Sequence, residues 1–127
     1  AVVRRHLTGG GRFAASLPNP LVLREMPARG EEEVEEFLEH PETKGVLQVS
    51  SAWKRSKQAF TVTWHYDHLR PDGMVERLSV RAHHSLATLE TYRAELQQAG
   101  LEIEQVYGDF DRSDYNADSP NLIFVAR

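Results

Sequence analysis

Histidine and carboxylate side chains are concentrated in one part of the chain, at spacings suited to proton transfer or metal binding. One residue separates His65 from Asp67, and His83 and His84 follow in the next stretch of alternating residues. An imidazole can accept a proton from a reacting group, so His65 and His83 are the first candidates for a general base, with His68 and His84 after them. Two histidines and one carboxylate are also the ligands of a mononuclear iron site.

Both interpretations have a simpler competitor, because most histidines on a protein surface have no catalytic role. A general base must also lie within hydrogen-bond reach of its substrate, which spacing alone does not show. Iron sites of this kind usually belong to larger double-layered β-rolls, and too few strands precede the helix in this chain. We therefore predict no metal, and a metal-dependent enzyme using His65, Asp67 and His83 is the least favoured alternative.

A run of three glycines in TGGGRFAASL raises the question of a phosphate or nucleotide loop. Such loops lead a strand into a helix, so that free N–H groups at the helix N-terminus point at the ligand. Here residues 2–7 are typical of the end of a helix, Gly9 and Gly10 are suited to closing it, and residues 12–17 form a short, mostly apolar strand. The order is reversed, and the glycines are predicted to form a turn.

The elements that position these side chains change their period along the chain. Residues 31–38, EEEVEEFL, have apolar residues at helical spacing, which predicts a short helix with an acidic solvent face. The following segments alternate between apolar and polar residues, as half-buried strands do, and they place Trp64 and Tyr66 on one face. They predict a three-stranded antiparallel meander over residues 45–53, 59–68 and 74–84.

The last third of the chain predicts a helix followed by two strands. Ser85 is a suitable N-cap, and Gly100 is suited to closing the helix. Residues 101–107 alternate as a strand, whereas residues 122–125 are apolar at every position. A strand with no polar face is buried on both sides, so the last strand is expected in the interior of a sheet.

Composition bounds the class of protein. A chain of 127 residues with 40% apolar and 27% charged residues is expected to form one soluble domain, and no apolar run is long enough for a membrane span. The net charge of −4 argues against a nucleic-acid partner, and the basic cluster Lys54, Arg55 and Lys57 is expected at a solvated hairpin tip. The absence of cysteine excludes disulfides and fits a cytoplasmic protein.

Two segments resemble the C-terminal half of class I S-adenosylmethionine-dependent methyltransferases. HLTGGGRFAASLPNP, residues 6–20, is similar to the turn and fifth strand of that family. LATLETYRAELQQAGLEIEQVYGDFDRSDYNADSPNLIFVAR, residues 86–127, is similar to its last helix, sixth strand, connecting loop and antiparallel seventh strand. Residues 45–84 resemble the antiparallel insertion that covers the substrate site in some small-molecule methyltransferases.

The resemblance implies an α/β fold that is a fragment of a Rossmann-like methyltransferase sheet. Residues 1–29 and 85–127 would form the partial core, with the seventh strand inserted between the fifth and the sixth. Residues 30–84 would form the short helix and the three-stranded antiparallel lid. Because ligands bind beyond the carboxyl ends of parallel strands, Asn19, Pro20, Tyr107 and Asp109 are expected to bind the substrate. Trp64 and Tyr66 would line the substrate pocket from the lid. The simpler alternatives are a turn at Asn19 and Pro20, an aspartate that bonds its own loop at Asp109, and a core position for Trp64 and Tyr66.

The resemblance also implies that the cofactor-binding elements lie outside this chain. The family's glycine-rich loop and the acidic residue of its second strand would both precede Ala1. We therefore expect a fragment of a parent enzyme that uses S-adenosylmethionine and a small-molecule substrate, with no cofactor bound by this chain alone. Residues 12–17 would form an exposed edge through which the chain self-associates into a homodimer. The alternative is a non-enzymatic ligand-binding or dimerisation module.

Overall fold

The computed structural model describes residues 2–127, which divide into two compact units. Unit 1 contains the described residues up to Met26 together with Ser85–Arg127, and unit 2 is Pro27–His84. The elements in chain order are α1 (Val2–His6), β1 (Phe13–Pro18), α2 (Pro20–Glu25), β2 (Arg29–Glu39), β3 (Val46–Arg55), β4 (Ala59–Leu69), β5 (Val75–Ser85), α3 (Leu89–Gln98), β6 (Ile103–Tyr107) and β7 (Asn121–Ala126).

Unit 1 is built on a three-stranded sheet in the order β1-β7-β6. β7 is antiparallel to both neighbours, so β1 and β6 run parallel to each other and end at the same edge. Leu122, Phe124 and Ala126 of β7 are buried, and the Phe124 ring meets Phe13 and Tyr92 at centroid distances of 6.2 and 5.7 Å. The predicted interior position of the last strand is confirmed.

The glycine run forms a turn between α1 and β1, as its order along the chain predicts. Gly10 has a φ of 77°, and the backbone N–H of Gly11 donates to the Thr8 carbonyl at 2.9 Å. Gly100 likewise has a φ of 77° and follows α3, where a residue without a side chain avoids the left-handed penalty. Both glycine turns connect a helix to the strand that follows it.

The start of α3 differs from the prediction. The N-cap is Thr88, whose hydroxyl accepts from the Thr91 N–H at 3.4 Å, and not Ser85, which ends β5. Leu86 lies between them with 1% of its surface exposed, so its burial keeps the chain extended past Ser85 before the helix begins. α2 was not predicted; it begins directly after Asn19, which caps it.

Unit 2 is a four-stranded sheet in the order β2-β3-β4-β5, where three strands were predicted. The additional strand is β2, so the prediction of a helix over residues 31–38 is wrong. Lys54 and Arg55 likewise lie in β3, and only Lys57 is in the turn.

Two irregularities explain why a helical pattern occurs in a strand. The register of β2 against β3 shifts between Gly30 and Glu33 and again between Val34 and Glu36. Each inserted residue reverses the faces of the strand, so apolar residues three and four apart are compatible with extended backbone. Pairing with β3 over eight positions then outweighs the helical preference of the local sequence.

None of the helices within residues 2–127 is long and apolar enough to cross a membrane.

The exposed edge of β1 generates a prediction. Within the described chain β1 pairs only with β7, so the other edge of this strand is available for pairing with a second copy. We expect the mass of the 127-residue chain, measured by light scattering after size exclusion, to rise towards that of a dimer with concentration. The double variant Ala14→Lys, Ser16→Lys should remain monomeric, since both side chains are exposed and charge on an edge opposes pairing. The control variant Gln97→Lys, Gln98→Lys on α3 adds the same charge and should leave association unchanged. A wild type that is monomeric at all concentrations would contradict self-association through β1.

Candidate functional site

The edge where β1 and β6 end is organised by one buried amide, that of Asn19. This side chain is 1% exposed, at the N-terminus of α2. Its Nδ2 donates to the carbonyls of Asn116 at 3.0 Å and Ser119 at 2.8 Å. Its Oδ1 accepts from the Leu21 N–H at 3.0 Å and from the Tyr115 hydroxyl at 2.9 Å. Both donors and both lone pairs are therefore used within the chain.

These bonds decide what Asn19 can do. Because its donors and acceptors are used within the chain, Asn19 positions the loop 108–120 that follows β6. Pro20 is buried beside it. Asn19 and Pro20 are thus both buried, and their contact with a substrate stays a prediction.

The loop 108–120 is further fixed by its own backbone and side chains. A side chain at Gly108 would overlap Ser119, so only glycine permits this close approach. Asp109 Oδ1 accepts from the Phe110 N–H at 2.8 Å and from Asn121 Nδ2 at 3.2 Å. Asp109 therefore stabilises the loop, and its second oxygen has no partner among the described residues. Burial raises the pKa of the Tyr115 hydroxyl, with a smaller contribution from Glu90, so this hydroxyl remains a donor to Asn19 at neutral pH.

A shallow groove of about 310 Å³ opens beside the end of β6. The Phe110 ring on its border is 75% exposed, and Arg112, which has a φ of 66°, contributes a guanidinium. Tyr107 also lines the groove, together with residues of β7. The groove offers an apolar ring, a cation and a phenol to a ligand, and the sequence prediction included Tyr107 and Asp109 but missed Phe110 and Arg112.

Unit 2 contains a second group of polar side chains, all on one face of its sheet. Arg77 donates to both oxygens of Asp67 at 2.7 Å and to Glu32 at 2.9 Å. The Ser50 hydroxyl also donates to Glu32, at 2.9 Å. His65 lies next to this group, with Nδ1 2.7 Å from the Ser79 hydroxyl and Nε2 3.9 Å from Glu32.

The hydrogen bonds set the charges of this polar group. The bonds from Arg77 lower the pKa of Asp67, and those from Ser50 and then Arg77 lower the pKa of Glu32. The two carboxylates in turn raise the pKa of Arg77. All three are charged at neutral pH, and Asp67 is unsuited to accepting a proton from a substrate.

The structure does not assemble the proposed iron ligands. Asp67 is bound by Arg77, and His83 lies across from Thr61, with Nδ1 2.9 Å from its hydroxyl, four residues along β4 from His65. Residues 2–127 contain no group of three His, Asp or Glu side chains that could hold a metal ion. The alternative that uses His65, Asp67 and His83 is therefore not supported.

The remaining predicted residues lie elsewhere on the sheet of unit 2. Trp64 and Tyr66 alternate with His65 and Asp67 and so face the opposite side, where both are half-buried. His68 lies on that side, stacked on His40 at a centroid distance of 4.2 Å. Tyr66 and both histidines line a hollow of about 360 Å³.

Comparison with known proteins identifies the fold. No family model and no curated protein matches the sequence. Among solved structures, 99% of the chain matches 50% of the CcbJ methyltransferase from Streptomyces caelestis, at 23% identity and a TM-score of 0.70. A second match is to an S-adenosylmethionine-dependent methyltransferase from Clostridium acetobutylicum. It covers 98% of this chain and 47% of that protein, at 12% identity and a TM-score of 0.74.

A third match is to a structure with S-adenosylmethionine bound. It is CalS10, an amino pentose methyltransferase from Micromonospora echinaspora, of which 46% is covered by 97% of this chain, at 18% identity and a TM-score of 0.62. The chain thus has a mixed α/β fold similar to part of these methyltransferases, and it spans about half of their length.

The Asn19 amide is expected to be necessary for the stability of unit 1. Asn19→Leu keeps a side chain of similar size but leaves buried donors and acceptors unpaired, which should lower the free energy of unfolding by about 2–4 kcal/mol. Urea denaturation followed by circular dichroism measures this loss. The control Gln97→Leu replaces an exposed amide on α3 and should change stability by less than about 0.5 kcal/mol. Equal effects of the two substitutions would show that the buried bonds contribute nothing.

The ion pairs of Arg77 generate a pH dependence. Folded-state pKa values below the ordinary 3.8 of Asp67 and 4.5 of Glu32 mean that these carboxylates stabilise the folded state above those values. This stabilisation is lost as the pH falls through the lower, folded-state pKa values. Arg77→Met should therefore flatten the acid side of the stability profile, measured as urea midpoints between neutral pH and pH 2.

Arg70→Met removes an equal charge from the turn between β4 and β5 and serves as the control. Its guanidinium lies 3.5 Å from Asp72 and 3.7 Å from Glu76, both exposed. This variant should retain the acid-side slope of the wild type. A slope unchanged in Arg77→Met as well would mean that Asp67 and Glu32 are not stabilised by Arg77.

Proposed function

We propose that the chain forms the substrate-side, C-terminal part of an S-adenosylmethionine-dependent methyltransferase that acts on a small molecule. The supporting observation is that nearly the whole chain matches about half of several methyltransferases, with β7 lying between β1 and β6. In open α/β sheets ligands bind beyond the carboxyl ends of parallel strands, which is where the groove beside Tyr107 lies.

The residues of this chain do not fit the methyl donor. A phosphate or nucleotide loop leads a strand into a helix, but the glycines at 9–11 follow α1 and precede β1. No other glycine turn within residues 2–127 connects a strand to a helix in that order. We therefore assign no step to S-adenosylmethionine here, and the 127-residue chain alone is expected not to bind it.

The groove at the end of β6 is the proposed substrate surface. The exposed ring of Phe110 would cover an apolar part of the acceptor, while Arg112 and Tyr107 would bind its polar groups. Asn19 holds the loop that carries Phe110 and Arg112, and so acts as a positioning residue. Trp64 and Tyr66 of unit 2 remain predicted substrate contacts.

Orientation accounts for most of what a protein must supply to methyl transfer, because the reaction is an in-line displacement. Where the acceptor must lose a proton, His65 and His83 remain the candidate bases. They lie on the face of the unit 2 sheet opposite to Trp64 and Tyr66, so the two sets are alternative contacts for an acceptor. The Ser79 hydroxyl lies 2.7 Å from Nδ1 of His65 and orients its ring, and the Glu32 carboxylate lies 3.9 Å from Nε2. The ring of His83 is oriented in the same way by the Thr61 hydroxyl, 2.9 Å from Nδ1.

A non-enzymatic ligand-binding or dimerisation module is the second candidate. It is favoured by the poor fit of these residues to a methyl donor, and it retains the fold and the groove without a reaction. The cytoplasmic location remains a prediction from the composition.

The decisive measurement is transfer of a labelled methyl group from S-adenosylmethionine to small amine and hydroxyl acceptors. The longest natural protein that contains this chain should catalyse it, whereas the chain alone should show no heat of S-adenosylmethionine binding by calorimetry. In the active protein Phe110→Ala should raise the acceptor KM about tenfold without changing the KM for S-adenosylmethionine. Phe37→Ala removes a ring of similar exposure, 64%, from β2 and should change neither KM. Ligand binding without transfer by the longer protein would favour the non-enzymatic module.

A further inference from the structure

A row of cationic and hydroxyl side chains crosses all four strands of unit 2. Arg29 pairs with Lys54 in the register of β2 and β3, and Lys54 pairs with Thr61 in the register of β3 and β4. The Thr61 hydroxyl lies 2.9 Å from His83 Nδ1 on β5. The row therefore continues from one edge of the sheet to the other on the same face.

A second row lies beside the first and completes a cleft. Thr63 of β4 pairs with Ala52 of β3. Arg81 precedes His83 by two residues and lies on the same face of β5. The short side chain of Ala52 leaves space between the longer cations. The resulting cavity, the basic cleft, has a volume of about 440 Å³ and is lined by Arg29, Lys54, Thr61, Thr63, Arg81 and His83 among others. Small-molecule sites span roughly 300–1,000 Å³.

The cations of the basic cleft are not neutralised by the carboxylates that the structure describes. In the described part of the chain, no carboxylate lies within 4.0 Å of the charged groups of Arg29, Lys54 or Arg81. Arg77, on the same face, is in contrast bound by two carboxylates. Two carboxylates also line the cleft: Glu32 is bound by Arg77, whereas Glu31 has no cation within 4.0 Å among the described residues.

Three unpaired cations next to hydroxyl donors form an environment complementary to an oxyanion. Guanidinium groups donate two parallel hydrogen bonds to phosphate, and lysine adds a point charge. Thr61 and Thr63 are half-buried within the cleft and supply neutral donors. A carboxylate would engage one arginine, whereas a phosphate has enough oxygens for several of these groups at once.

We propose that the basic cleft binds the phosphate group of a small phosphorylated molecule. The acidic segment EEEVEE of β2 runs next to the cleft and would repel an extended polyanion, which favours a small ligand over nucleic acid. This inference rests on unit 2 alone and does not depend on methyl transfer.

Nuclear magnetic resonance of the isotope-labelled 127-residue chain tests the proposal. Titration with inorganic phosphate, and separately with methyl phosphate, should produce saturable shifts of the amide signals of Ala52, Thr61, Thr63 and His83. Sodium chloride at matched ionic strength should not. Arg81→Met should weaken phosphate binding about tenfold, because it removes a charge-assisted donor pair. Arg70→Met, which removes an equal charge from the distant turn, should leave the affinity unchanged.

Several outcomes would overturn the proposal. They are equal weakening by the two arginine substitutions, the same shifts in chloride, or tighter binding of a short single-stranded oligonucleotide than of methyl phosphate. If the spectrum of Arg81→Met shows a disturbed fold, Thr63→Val replaces it, because this variant keeps the shape of the side chain and removes one donor. Undiminished phosphate affinity in a folded Arg81→Met, or in Thr63→Val where that variant replaces it, would likewise refute the site.

Discussion

The hydrogen bonds of the Asn19 amide are the interaction on which the architecture of unit 1 depends. Asn19 lies directly after β1, and its partners Tyr115, Asn116 and Ser119 lie about one hundred residues later in the loop before β7. Because the group is buried, losing any of these bonds would leave a desolvated donor or acceptor. The amide thus fixes the loop against the end of β1, and it also caps the N-terminus of α2.

The geometry of the groove beside β6 depends on the hydrogen bonds between Asn19 and the loop 108–120. The side chains of Phe110 and Arg112 are exposed. The same loop is held by Asn19 at one end and by the close approach of Gly108 to Ser119. Exposed recognition groups on a restrained loop are a common arrangement for a binding site, because a rigid base reduces the entropy lost when the ligand binds.

Unit 2 separates its charges into a paired and an unpaired set on one face of the sheet. Arg77 is bound by Asp67 and Glu32, which keeps these groups charged and fixed and leaves the neighbouring imidazole of His65 oriented. One step further along the sheet, Lys54 and Arg81 have no such partners within residues 2–127. The contrast is what suggests a ligand, since an unpaired set of cations is stabilised by an anion from outside the chain.

The sequence by itself determined the elements whose pattern is repeated along the chain and whose neighbours agree with it. The alternation of β4 and β5, the apolar run of β7 and the order of helix, glycines and strand at the N-terminus all indicated the observed structure. The resemblance to methyltransferases pointed to the fold that the solved structures share. These features depend on the spacing of apolar residues along the chain and on how apolar each segment is, and both can be read from the residue types.

The tertiary structure alone decided where pairing overrides the local pattern and which polar groups remain free. Residues 31–38 have a helical period, yet two bulges let them pair with β3. Asn19 has the chemistry of a ligand contact, yet its partners one hundred residues away use all of it. Bonds between distant segments have no signature in the spacing of either one, so only the folded chain shows which side chains remain available to a ligand.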